Sequence, residues 1–193
     1  MQLIKALEEK KAVRMIAKEN QKVNFNVANA RIEKDMLWLR KELSGKSGIQ
    51  QLIKPQDAEK DGVRNIDSAK LTSGTAFLVT GILISTTSFG APLANESEMS
   101  KQEFSIGSQA DGALFNSELS IKVGGEEKMK ALLRHMSPEV AGDDKPEQMA
   151  YHVSPFVIPP SQVINPELNI LDAAGNCAIE VAFVGYKISE NRG

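Results

Sequence analysis

Residues 76–85, AFLVTGILIS, form an uncharged run in which branched and aromatic side chains fall on both alternating parities. A strand of that composition offers no face to water, so the chain must supply cover on both sides of it. Residues 178–188, AIEVAFVGYKI, repeat the pattern near the other end of the chain. Here Ile179, Val181 and Phe183 share one face, and Glu180, Ala182, Val184 and Tyr186 share the other. Two deeply apolar strands so far apart in sequence are expected to be neighbours at the centre of a sheet, or to face each other across the core. A break at Gly81 marks a bulge or a close backbone approach.

Around these two runs the period is two from Leu71 onward. KQEFSIGS (101–108) and ALFNSELSIKVGG (113–125) alternate, the latter with Leu119, Ile121 and Val123 on one side and a turn at Gly124-Gly125. EEKMKALLRHM (126–136) has the composition of a short helix, with acids in its first turn and Arg134 and His135 in its last. Residues 137–148 are a loop by every breaker rule. YHVSPFVIPPSQVI (151–164) is an edge strand that turns at Pro159-Pro160, and ELNILDAAGN (167–176) is a strand leading into a turn. The expected fold is mainly β: an antiparallel β-sandwich of jelly-roll type, preceded by an α-helical segment and an extended arm.

The first 44 residues contain no Pro or Gly and are rich in helix formers. Leu3, Ala6, Leu7, Val13, Ile16 and Ala17 lie on one broad helical face, with Lys10 and Arg14 at its edge. KENQKVNFN (18–26) is a bend. Beyond it Phe25, Ile32 and Leu39 recur every seven residues, as do Asn29, Met36 and Leu43. Read as a helix, this is a coiled-coil seam of about three heptads with one polar position, Asn29, to set register and copy number. Those six residues are the candidate contacts with copies or partners; an ordinary amphipathic helix packed on its own domain is the alternative. Residues 45–70 read as a polar linker arm, ordered only where something packs on it. The domain boundaries are therefore 1–44, 45–70 and 71–193.

No pattern of catalysis or ligation emerges. His135 and His152 have no Cys or carboxylate at ligand spacing, and a zinc or iron site needs more. Cys177, the one cysteine, is read as a small hydrophobe and excludes an internal disulfide. Glu126-Glu127 and Asp143-Asp144 are adjacent pairs pointing apart, unlike two carboxylates held across a cleft. GSQADG lacks the spaced acids of a calcium loop, and VGGEEK lacks the phosphate-loop lysine pattern. No catalytic residue, cofactor or metal is expected. The longest apolar run falls well short of the ~20 residues of a membrane-spanning helix.

Charge is divided. Residues 1–70 carry 15 Lys+Arg against 10 Asp+Glu, whereas residues 71–193 carry 8 against 15. The leading part is suited to non-specific phosphate contact; base readout is not supported, since aromatic residues there are limited to Phe25 and Trp38.

The strand FLVTGI (77–82), the strand NSELSIKVGG (116–125), the turn PFVIPPSQVI (155–164) and the closing FVGYKI (183–188) together resemble capsid-associated structural proteins of bacterial viruses. Vertex (penton) and minor head proteins with a single jelly roll are the nearest type, over about residues 71–193. The resemblance implies a non-enzymatic subunit of a virion, assembled in the host cytoplasm as a trimer or pentamer with neighbouring structural proteins. A carbohydrate- or ligand-binding adhesion module is the alternative, with Tyr151, Tyr186 or Trp38 lining its pocket. A hydrolase on a β scaffold is a third, needing an acid beside His152.

Overall fold

The computed structural model describes residues 30–106, 111–136 and 150–190, and Arg14 ahead of them. Among these residues the strands are β1 (Arg31–Glu42), β2 (Gly48–Gln51), β3 (Thr75–Ser88), β4 (Ser105–Ile106), β5 (Glu118–Val123), β6 (Glu126–Leu132), β7 (Tyr151–Ile158), β8 (Ile164–Ile170) and β9 (Cys177–Ser189). A single-turn helix, α1 (Gly112–Phe115), is capped by the Asp111 side chain. Every pairing is antiparallel. One sheet runs β1-β9-β3, with β4 and β7 sharing the far side of β3; the other runs β2-β8-β5-β6.

The two apolar runs are direct neighbours. β3 pairs β9 from Thr75 opposite Ser189 to Ser88 opposite Cys177. The register shifts between Val79 and Gly81, so Val79 and Ile82, three apart, both face inward. Inward side chains of both sheets belong to one core: Leu37, Leu39, Phe77, Val79, Ile84, Phe156, Ile158, Ile179, Val181 and Phe183 from the first, and Leu119, Ile121, Val123, Ile164, Leu168 and Ile170 from the second.

The pairings are nested. β1 pairs β9, β2 pairs β8, β3 pairs β7 and β5 pairs β6, from the ends of the chain toward its middle. β9·β3 and β8·β5 then join these pairs into sheets.

Three expectations are corrected. Residues 31–42 are a strand, so the heptad seam is not helical there. In a strand, residues an even number apart share a face. Ile32 and Met36 therefore face outward, while Leu39, an odd step of three beyond Met36, faces inward. The Leu, Met, Lys, Arg and Glu of this stretch favour helix by composition, and pairing with β9 over all twelve residues overrides that weak preference. Residues 126–132 are also a strand, followed by a 3-10 turn at Leu133–His135. Gly124 and Gly125 have φ of 59° and 85°, which turns the chain straight back on β5 in a two-residue hairpin and leaves no room for a helix start. Residues 45–70, expected as a linker arm, supply β2 and the core residues Leu52, Ile53, Ile66 and Ala69, which pack with described residues on either side of them in the chain. The helix expected over 1–29 and the loop over 137–148 lie outside the described residues. Among the described residues of the 101–108 stretch, Ser105–Ile106 is strand.

Gly185 sits where β9 passes the bulge, and a Cβ there would overlap the carbonyl oxygen of Leu78. Gly185→Ala is expected to lower stability by about 2–3 kcal/mol, because backbone on a central strand must move. Urea denaturation checks this: the midpoint falls with the slope unchanged.

Candidate interaction surface

The outward face of the β1-β9-β3 sheet carries three apolar patches, with the charged side chains of Lys34, Arg40, Glu42 and Glu180 standing on the same face. Ala76, Leu78, Val157 and Ile188 form one patch with Ala30, Ile32 and Tyr186 beside it. Leu83, Ala150, Ala182 and Val184 form a second with Met36, Trp38 and Ile106. Ala178 belongs to a third with Val63 and Met99, flanked by Phe89, Leu93 and Phe104.

That third patch is covered by two loops, and the fastening is ionic. Arg40 on β1 lies directly opposite Glu180 on β9. Its Nε donates to Glu180 Oε2 at 2.7 Å and its Nη1 to the Gly62 carbonyl at 2.8 Å. The guanidinium lies 4.4 Å from the centre of the Phe104 ring and 5.3 Å from that of Trp38. Arg64, 5 % exposed, donates to the Ala58 carbonyl at 2.8 Å and pairs with Glu96, which Lys60 also approaches at 3.5 Å. Residues 58–66 and 89–104 are thereby tied to the sheet and to each other.

The free side of β1 is closed in the same region. Asn65 Oδ1 accepts from the Trp38 N–H at 2.6 Å, Asn65 Nδ2 donates to the Met36 carbonyl at 2.9 Å, and the Arg40 N–H donates to the Val63 carbonyl at 2.8 Å. A side-chain amide here does the work of a neighbouring strand, which blunts the edge.

The outward face of the other sheet is the opposite in character. Lys122 donates to Glu167 at 2.7 Å, Lys130 pairs with Glu118 at 2.8 Å and Ser120 donates to Glu127 at 3.0 Å. These residues, with Ile49 and Asn169, line a shallow groove of about 170 Å³. The Lys122 hydrogen bond holds the Glu167 carboxyl below its ordinary range, and the Glu118 hydrogen bond raises Lys130. A second groove of about 410 Å³ is lined by Gly112, Ala113, Asn116, Leu132, Arg134, Leu171 and Asp172, and has no aromatic wall.

Of the six expected contact residues, Leu39 and Leu43 are fully buried in the core and cannot meet a partner, whereas Ile32 and Met36 are half-buried on the outward face. Phe25 and Asn29 lie outside the described residues. Arg40, Arg64, Asn65 and Glu96 escaped sequence reasoning. The available signal was Glu180, a lone acid among the outward residues Ala178, Ala182 and Val184, which needs a cation opposite it.

His135 accepts from the Arg134 Nε at 3.3 Å, and His152 lies on β7 opposite Gly81. Among the described residues no three His, Cys, Asp or Glu side chains stand close enough to hold a metal ion, and no helix is long and apolar enough to cross a membrane. Cys177 is buried in the core, and burial pushes its thiol up to about 12, with Asp111 and Glu42 adding to the effect. No protein-family model and no curated protein matches this chain.

Two outcomes follow from this geometry. Arg40→Ala strands Glu180 in a partly buried position and is expected to cost about 2–4 kcal/mol. Arg40→Lys restores little, because an ammonium cannot serve Glu180 and Gly62 together and stack on Phe104; chemical denaturation of both variants, with limited proteolysis of 89–104, measures it. Cys177 should be inert to disulfide reagents at pH 8 in the folded chain, where the thiolate fraction is about one in ten thousand, and should react at once in denaturant.

Proposed function

We propose that the chain is a non-enzymatic structural subunit of a virus-like particle, with a jelly-roll β-sandwich as its rigid body. The observation that carries this reading is the nested order of strand pairs. Rolling up one long antiparallel ribbon produces that order: first strand with last, second with last but one, and so to the middle. With the two-residue β4 set aside, eight strands divide four and four between the sheets. This roll recurs in viral capsid proteins, lectins and cupins, so the fold alone does not choose among them.

The surfaces support the capsid reading over the other two. Several described charged groups serve structural pairs: Arg40 with Glu180, Arg64 with Glu96, Lys122 with Glu167. The adhesion-module alternative gains no support from the grooves, since neither has an aromatic platform in its lining. Assembly then uses the body together with residues 1–29, including Phe25 and Asn29. That segment carries six Lys+Arg against three Asp+Glu, which suits it to acidic neighbours or to non-specific contact with a packaged nucleic acid. Copies of the chain, as a trimer or pentamer, and neighbouring structural proteins are the partners, and the virion is the place.

Light scattering across a concentration series tests this. The expected result is a closed oligomer of three or five chains, visible as rings or clusters by electron microscopy, and Phe25→Asp is expected to reduce its mass while leaving the β circular dichroism intact. A strict monomer at the highest concentration reached would sink the proposal.

A further inference from the structure

Among the described residues, Ile49 and Leu171 are the most exposed large hydrophobic side chains, at 69 % and 72 %. Both stand on the outward face of the β2-β8-β5-β6 sheet. Ile49 lies opposite Asn169, and Leu171 follows two residues later on the same parity, so the two are diagonal neighbours across β2 and β8. Each also borders a groove: Ile49 the one beside Glu118 and Ser120, Leu171 the one whose opposite wall is Ala113 and Leu132. Apolar projections thus occupy the β2–β8 half of the face, and half-buried apolar recesses the β5–β6 half. A single exposed leucine needs no explanation; a pair beside recesses that would take them does.

We propose that this face is an isologous docking surface: a second copy of the chain packs on it face to face, about a two-fold axis parallel to the strands and between β5 and β8. The register of the sheet chooses that occupant. Leu132, Glu118, Asn169 and Ile49 form one row across the four strands, and Lys130, Ser120, Glu167 and Gln51 form the next. Such an axis lays each row over itself reversed. Leu132 then meets Ile49 of the second copy, Glu118 meets Asn169, Lys130 meets Gln51 and Ser120 meets Glu167. Apolar faces apolar, every charge faces an amide or a hydroxyl, and no like charges are opposed. At the end of the face Arg134 lines the larger groove on the β6 side and Asp172 on the β8 side, so the same axis brings each toward the other's counterpart. Axes across the strands fail. They oppose Glu118 to itself, or Lys130 and Glu167 to themselves, or set Leu132 on Lys130. The offset of about 30° between packed twisted sheets displaces the outer strands by a few ångström, within reach of these side chains. By strand spacing and rise the face measures about 20 Å each way, at the low end for a specific interface, so the association is concentration-dependent. It adds a two-fold contact between chains, or between rings of chains, and does not rest on the capsid reading.

The test mixes two full-length chains, one carrying Ile49→Cys and the other Leu132→Cys, under mild oxidation, with Cys177 buried in both. The mixed disulfide dimer is expected to form about tenfold faster than either variant's own dimer, because the axis brings 49 to 132 and keeps 49 from 49 and 132 from 132. In parallel, Ile49→Asp combined with Leu171→Asp, both at exposed positions, should weaken self-association in sedimentation equilibrium by about tenfold with the β circular dichroism unchanged. Equal rates for mixed and single-variant disulfides overturn the proposal. So does association untouched by the two aspartates, or a chain that shows no concentration-dependent mass, the face then belonging to a different partner. Phe25→Asp, tested in the same crosslinking mixture, separates the two readings: a chain that loses its ring and keeps the 49–132 disulfide has lost assembly through its leading segment alone.

Discussion

The pairing of β3 with β9 is the constraint on which the rest depends. It joins residues from the first half of the chain to its last strand over more than a dozen positions, and both members are apolar on both faces. Such a pair cannot stand at the surface of anything. Each large apolar side chain left uncovered forfeits about 1.5–3 kcal/mol of burial, and Leu78, Ile188, Phe77 and Phe183 alone make that prohibitive against the few kcal/mol that separate folded from unfolded chains. The inner face is satisfied by β8 and β5 of the second sheet. The outer face is satisfied at one end by loops that the ion pairs hold down, where Ala178 packs with Val63 and Met99.

Much of this was legible in the sequence, and the failures have a common cause. β3, β5, β7 and β9 are announced by alternation or by uncharged runs, the bulge by Gly81, and the turn that ends β5 by Gly124-Gly125. What misled is composition standing in for partnership. Residues 31–42 and 126–132 are rich in Leu, Met, Lys, Arg and Glu, which favour a helix when a segment is judged alone. In both places a partner strand with free backbone groups decides the matter: β9 for the first and β5, two residues away, for the second. The seven-residue spacing of Ile32, Leu39, Met36 and Leu43 is real, but on a strand it divides the set between two faces. Two of its members become core and two become part of the outward surface. The fastening cluster was illegible for a different reason. Arg40, Arg64, Asn65 and Glu96 are scattered over some sixty positions, and only the β1–β9 register brings Arg40 opposite Glu180.

The two outward faces divide the labour of the molecule. On the β2-β8-β5-β6 side, Lys122 pairs with Glu167 and Lys130 with Glu118, and Glu127 accepts from the Ser120 hydroxyl. Exposed pairs of this kind add little stability; their value is that a sheet edged with charge resists pairing with other sheets. The Glu167 carboxyl, held below its ordinary range by Lys122, keeps its contribution at neutral pH. That contribution fades only as pH falls through the lowered value in the folded chain, so the charged face is preserved into mildly acidic solution.

On the β1-β9-β3 side, charge is used sparingly and for position. Glu180 is the one outward acid in the middle of β9, and Arg40 answers it while reaching the Gly62 carbonyl and the Phe104 ring. One guanidinium thus connects two strands and two loops, which a point charge could not do. Burying such a pair is rarely favourable in itself; desolvation offsets most of the attraction. Its effect is on specificity. An all-apolar outward face could be covered in many registers by the same loops, whereas an arginine that must find one carboxylate and one carbonyl admits a single arrangement. The ion pair therefore fixes where the loop cover ends, along the line of Ala178 and Glu180.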